Sequence, residues 1–251
     1  MRKFIMKYSE YLLIIGLFII NSILVGLLKF NIIITNTIYI LLCIVIKFII
    51  YLPFDKLIKQ SYQNCDFNSY ITEIEPFIDQ ISTKKAKTDY QIPLIVFQNI
   101  LNPTTSSIEK YFNIIKEKNT LTKEQQLAYY TEILLICYLL DKKDYVLKLT
   151  NLIKEINTSN NSKVIELRLK RIEIINHLFN NELNNLEENI DKYYLKLNNS
   201  NNLYQTIKTK FLLAIYYLKT NQLKKAKKEF KYVIENGKDI FLVTKTKEYL
   251  K

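Results

Sequence analysis

The sequence predicts an all-α protein in which two apolar helices precede an α-solenoid of helical hairpins. Three observations favour this fold class. Glycine is scarce, with 3 residues in 251, and only Gly237 lies beyond residue 53, whereas a large β domain needs many glycine turns. The first fifty residues contain two long apolar runs. Beyond them, apolar residues recur with a helical period.

The two apolar runs predict a membrane anchor. Residues 11–28 carry no charge, and residues 30–52 carry only that of Lys47. Each run can cross a hydrocarbon core of about 30 Å at about 1.5 Å per helical residue. We therefore expect transmembrane helices at about 9–28 and 30–52 within an anchor of residues 1–53. The repeat domain would then occupy residues 54–251.

The charges that flank the apolar runs predict the orientation of this anchor. Cationic residues lie before the first run and after the second, and a single one, Lys29, lies between them. The positive-inside rule then predicts a multi-pass protein of the cell membrane with its N- and C-termini in the cytoplasm. The flanking cations are Arg2, Lys3, Lys7, Lys56 and Lys59.

Two polar residues, Asn21 and Asn36, interrupt the apolar runs and need hydrogen-bond partners in lipid. Pairing within the hairpin, or a position of Asn36 near the lipid headgroups, would satisfy them. Contact with another membrane protein is the alternative.

The remaining chain predicts helices in pairs. A first helix is expected near 67–82, interrupted at Pro76, and a last helix at 239–250. The second helices start near 105, 142, 183 and 221, a period of about 37–41 residues, which is typical of an α-solenoid. The predicted pairs are 86–101 with 105–118, 123–140 with 142–156, 162–179 with 183–197, and 203–219 with 221–236.

The last pair resembles the tetratricopeptide repeat (TPR). In that family, a Leu-small pair and an aromatic residue lie on the first helix, and a small residue followed four positions later by an aromatic lies on the second. Here Leu213, Ala214 and Tyr217 match the first helix, and Ala226 and Phe230 match the second. The resemblance covers about residues 85–250 and implies a TPR-like fold. With its anchor, the chain is similar to uncharacterised bacterial membrane proteins with TPR-like domains.

The resemblance also implies a binding groove, because the first helix of each TPR-like pair lines the concave face. Arg168 and Arg171 lie three residues apart on one helix face, and arginine offers a bidentate fork to carboxylates. They are interpreted either as a clamp for an acidic side chain or chain terminus of a bound peptide, or as partners of a neighbouring helix or of solvent. The implied groove residues are Tyr130, Arg168, Arg171, Ile175, Lys208, Phe211 and Ile215.

Positive charge is concentrated near the C-terminus. The chain has a net charge of +12, and residues 201–251 contain 12 Lys and 4 acidic residues. A solvated face explains this composition, and contact of residues 219–251 with anionic lipid is the alternative. Nucleic acid is not expected as a partner, because neither a helix-turn-helix nor a base-stacking motif is present.

No catalytic motif is found. The chain has no P-loop, GxGxxG, HExxH or CxxC pattern and a single histidine, His177, so we expect no enzymatic activity, no cofactor and no metal site. The predicted function is a membrane-anchored interaction scaffold whose TPR-like domain binds a peptide segment or partner protein, as yet unidentified. The alternative is a small accessory subunit of a membrane complex, bound through the transmembrane hairpin.

Overall fold

Helices account for every regular element in the part of the chain that the structure describes. This computed structural model describes residues 15–16, 18–23, 25–26, 32–81, 84–117, 121–156, 162–195 and 202–251. Within these ranges no strand is present. The predicted all-α class is therefore confirmed.

In the described ranges, an N-terminal helical segment is followed by four helical hairpins and a closing helix. Helix α1 (Ile32–Asn64) leads into α2 (Phe67–Ile74), which continues as a 3-10 helix (Glu75–Gln80) at the predicted interruption. The hairpins are α3 (Lys84–Leu101) with α4 (Thr105–Glu117), α5 (Lys123–Leu139) with α6 (Lys143–Ile156), α7 (Lys163–Phe179) with α8 (Leu186–Ile190), and α9 (Leu203–Lys219) with α10 (Leu223–Asn236). Helix α8 continues as a π-helical turn (Asp191–Leu195), and α11 (Phe241–Tyr249) closes the fold.

The transmembrane part of the predicted fold is wrong. Among the described residues, no helix combines the length and the apolarity that a membrane crossing requires. The predicted second span does not end near residue 53, because α1 continues to Asn64 and its later turns pack on the repeats, where Phe54 is fully buried. Much of the predicted first span (9–28) lies outside the described residues. The predicted multi-pass localisation rests on these spans and is therefore wrong as well. The accessory-subunit alternative stays a prediction.

The two asparagines of the apolar runs contact each other, as one of the two interpretations predicted. The Asn21 amide donates a 2.9 Å hydrogen bond to Asn36 Oδ1, which joins helical residues within 15–26 to α1.

Three of the hairpin turns are copies of one another, and they define the repeat length. Each first helix ends in a left-handed residue, with φ values of 53° at Asp141, 63° at Asn181 and 59° at Asn221. In each turn the amide of the residue that follows the left-handed one donates a 2.8 Å hydrogen bond to the carbonyl five positions before it. This is the Schellman geometry. Because the left-handed residues recur every forty positions, the structure contains repeated helical hairpins with a forty-residue period.

The first helices of the hairpins form an inner layer that closes on the N-terminal helices. Helices α3, α5, α7 and α9 pack side by side in that order, while α9 also packs against α1, and α11 against α3. Aromatic rings fill the junction: Phe67 lies 4.8 Å from Phe97 and 4.9 Å from Tyr204, measured between ring centroids. The concave side of the array is therefore occupied by the chain's own N-terminal helices.

Candidate functional site

A cavity of about 450 Å³ remains where the inner helices meet the end of α1. Its walls come from α5, α7 and α9, and Tyr62 of α1 contributes one side. The three predicted cations Arg168, Arg171 and Lys208 all line it. The structure thus brings together side chains from two successive repeats.

The two arginines project from the middle of α7 and have different surroundings. Ser162 caps this helix, because its hydroxyl accepts a bond from the Ile165 amide at 3.4 Å. Arg171 is 9% exposed, and its Nε donates a 2.7 Å bond to the Tyr193 carbonyl in the π-helical turn. The Nε of Arg168 is buried and has no hydrogen-bond partner among the described residues. Arg168 therefore keeps a donor for a ligand.

Lys208 is the most deeply buried of the three cations. It is 2% exposed, and its Nζ donates a 2.5 Å bond to Glu132 Oε1 on α5. The Tyr204 hydroxyl donates to the second oxygen of Glu132 at 2.8 Å. Burial lowers the pKa of Lys208, an effect that Glu132 opposes and the two arginines reinforce. The ion pair of Lys208 and Glu132 thus connects α9 to α5, with one repeat between them.

Gln205 supplies a second unused donor. It lies one turn before Lys208 on the same helix, is 7% exposed and lines the cavity. Its side-chain nitrogen has no hydrogen-bond partner in the described part of the chain. A buried amide without a partner costs free energy, and a bound oxygen acceptor would remove this cost.

The four uncharged residues of the predicted groove are buried in the core. Tyr130, Ile175, Phe211 and Ile215 are each no more than 3% exposed. Phe211 packs between α10 and α11, with ring centroids 6.2 Å from Phe230 and 6.3 Å from Tyr249. Burial and the nearby charge of Glu155 raise the pKa of Tyr130 to about 12. The structure thus separates these residues from the cations, which alone among the predicted groove residues line the cavity.

Sequence reasoning missed Glu132, Gln205 and Tyr62. A signal for Glu132 was available, because it is the only charged residue between Leu127 and Leu140, and an acid in a buried helix needs a partner. Gln205 and Tyr62 have no such signal, since polar and aromatic residues are common in helices of every kind.

A second cavity, of about 570 Å³, surrounds His177 at the end of α7. Glu182 lies against His177 Nδ1, and Glu173 lies 3.4 Å from His177 Nε2 and 2.6 Å from Lys170 Nζ. Lys170 is therefore accompanied by two carboxylates in this cavity. An anionic ligand therefore has less to gain here than in the first cavity.

The lysines of the "KKAKK" stretch lie on the surface. Lys224, Lys225, Lys227 and Lys228 are exposed, while Ala226 between them is fully buried against α9. Exposure agrees with a solvated face, and contact of residues 219–251 with anionic lipid stays a prediction.

The fold and the cavity together define a class: an all-α protein of repeated helical hairpins with a cationic cavity on its inner helices. No protein-family model, curated protein or solved structure matches this chain.

Proposed function

We propose that this protein is an interaction scaffold that binds an acidic group of a partner protein in the cavity between α5, α7 and α9. The observation that carries the proposal is the convergence of Arg168, Arg171 and Lys208 from two successive repeats, with the Arg168 Nε left without a partner in the described chain. The unpartnered Arg168 Nε is suited to a carboxylate, because charge-assisted hydrogen bonds are the stronger ones.

We further propose that the array is TPR-like, with repeats longer than the family's roughly 34 residues. Support comes from the last hairpin, where Ala214, Ala226 and Phe230 are fully buried. The small residues allow α9 and α10 to approach closely, and the Phe230 ring stacks on Tyr249 at 5.8 Å. These are the roles that the resemblance implies.

The proposal is binding without catalysis. Glu132 is the buried carboxylate of the cavity, and its two oxygens are engaged by Lys208 and Tyr204. The histidine lies in the other cavity. Neither group is therefore positioned as a general base within the cationic cavity.

Site-specific photo-crosslinking tests the proposal. A crosslinking amino acid in place of Ala128, which lines the cavity, should capture a partner in cells that produce the full chain. The same amino acid at Leu223, which is exposed on α10, should not. The Arg168→Ala/Arg171→Ala variant should lose at least about tenfold of the captured partner, the equivalent of one lost charge-assisted contact.

The matched control is Lys224→Ala/Lys227→Ala. It removes the same charge at the same three-residue spacing from an exposed helix face, and it should leave capture unchanged. Equal capture by the wild type and the arginine variant would refute the proposed site.

A further inference from the structure

Glu132 places a buried negative charge in the cavity beside the three cations. It is 7% exposed, and its oxygens accept hydrogen bonds from Lys208 and Tyr204. Taking a carboxylate out of water is costly, and an apolar residue at this position would fill the same helix face. Packing alone therefore does not explain why a charged residue occupies position 132.

The charged groups around the cavity leave a small positive excess. Among the described residues, three cations and two carboxylates line it, the second carboxylate being Glu124, so this part of the lining carries one net positive charge. Glu124 accepts a 3.1 Å bond from the Ser162 hydroxyl. Arg168 and Gln205, whose side chains hold the two donors without partners among the described residues, both line this cavity. One singly charged group with two oxygens would match both the charge and the donors.

We propose that Glu132 is a specificity-determining residue that restricts the ligand to a singly charged carboxylate and excludes doubly charged phosphoryl groups. The inference rests on the proposed function, namely that this cavity binds an anionic group of a partner. A carboxylate neutralises the excess charge. A phosphoryl group, which carries about −1.5 to −2 near pH 7, leaves uncompensated charge beside the buried side chains of Glu132, Arg171 and Lys208, where charges interact more strongly than in water.

The chain offers a direct readout, because it contains only three arginines: Arg2, Arg168 and Arg171. Full-length protein labelled with ¹⁵N-arginine gives three Nε–H signals in an NMR spectrum, and Arg168→Lys and Arg171→Lys variants assign two of them. The Arg168 signal then reports on the cavity without any knowledge of the natural partner.

Three N-acetylated pentapeptide libraries serve as probes. The first has a free carboxyl terminus and no acidic side chain, the second an amidated terminus and one fixed Glu, and the third an amidated terminus and one fixed phosphoserine. We expect the first or the second to shift the Arg168 signal, which also tells a chain terminus from a side chain. The phosphoserine library should bind at least about tenfold more weakly.

Two variants test the role of Glu132. Glu132→Gln should raise binding of the phosphoserine library relative to the carboxylate library by about tenfold. Glu132→Gln/Lys208→Met removes one charge of each sign, leaves the net charge unchanged and should keep the wild-type preference. If Glu132→Gln does not fold, the wild type still decides the outcome, because equal binding of the carboxylate and phosphoserine libraries would refute the proposal.

Two distinct failures can be told apart. If carboxylate and phosphoserine libraries bind the wild type equally, or if Glu132→Gln leaves their ratio unchanged, the role of Glu132 is refuted while the anion site stands. If no library moves the Arg168 signal, the proposed function fails, and this inference fails with it.

Discussion

At the scale of single residues, the buried ion pair of Glu132 and Lys208 is the most consequential contact. It joins two inner helices across 76 positions of sequence, and both partners are almost completely buried. A pair of this kind contributes little net free energy when it is intact, but removal of one partner leaves an uncompensated buried charge. The contribution of this ion pair to the free energy of unfolding can therefore be measured only by comparing single and double variants.

Lys208→Met alone should lower the free energy of unfolding by about 3–5 kcal/mol, because Glu132 is then buried without its cation. The Glu132→Gln/Lys208→Met variant should lose far less, since neither charge remains. Urea unfolding followed by circular dichroism measures both. Equal losses in the single and double variants would show that the pair is not coupled.

The cations could be predicted from sequence, whereas the shape of their site could not. Arg168 and Lys208 lie at equivalent places in successive repeats, and Arg171 follows Arg168 by three residues on the same helix face. Side chains so placed on stacked helices lie close together. The apolar positions align equally well, yet Phe211 and Ile215 are core residues. Aligning the repeats places each residue within its repeat. It does not show which face of the inner helices stays open, because that depends on the helices that pack against them, here α1 and α2.

At the scale of elements, the Schellman turns explain why hairpin boundaries were predictable. Asp141, Asn181 and Asn221 each adopt a left-handed conformation at the end of a first helix, which asparagine tolerates better than most residues. The predicted helices 203–219 and 221–236 are confirmed to within two residues as α9 and α10. A capping box formed by Thr122 and Gln125 starts α5.

Substitutions at Asn221 test the turn. Asn221→Ala forces an alanine into the left-handed region at a cost of about 1 kcal/mol, which should lower Tm by about 2–4 °C for a chain of this size. Asn221→Gly, which has no Cβ, should leave Tm nearly unchanged. Thermal unfolding distinguishes the two variants, and an equal loss in both would mean that the side chain of Asn221, rather than its backbone, stabilises the turn.

The second helix of the third hairpin departs from the sequence prediction. A helix was expected over 183–197, but the structure has the five-residue α8 followed by a π-helical turn. The Tyr193 carbonyl in this turn accepts the bond from Arg171. The contact spans 22 residues, so helical periodicity within the segment carries no information about it.

At the scale of the whole molecule, the two ends of the described fold are joined. The carbonyl of Gly237 lies 3.8 Å from Cys65 Sγ, and Lys238 Nζ donates a 2.9 Å bond to the Asn64 carbonyl. These contacts cross more than 170 positions of sequence. No periodic pattern predicts such a return, and the apolar character of the N-terminal runs favoured an independent anchor instead.

The junction has no room for a side chain at Gly237. A Cβ at position 237 would lie 2.3 Å from Val243 Cγ2 and 2.6 Å from the Val233 carbonyl. Gly237→Ala should therefore cost about 1–3 kcal/mol. Hydrogen exchange should speed up in α11 and also in α2, which lies across the junction.

Gly26→Ala is the control for this prediction, because a Cβ at position 26 meets no atom of the described residues within 4 Å. It should leave exchange in both helices unchanged. Faster exchange confined to α11 in Gly237→Ala would show that the junction does not couple the two ends.

The junction also constrains how this protein can change over evolutionary time. Arrays of repeats ordinarily lengthen or shorten by whole units, since each unit contacts only its neighbours. Here the last hairpin also contacts the helices that precede the first. One added or deleted forty-residue unit would carry α9 and α11 away from α1 and α3 and leave their apolar faces uncovered. The number of units is therefore fixed by the return of the chain to its beginning, and variation is confined to the loops and outer helices.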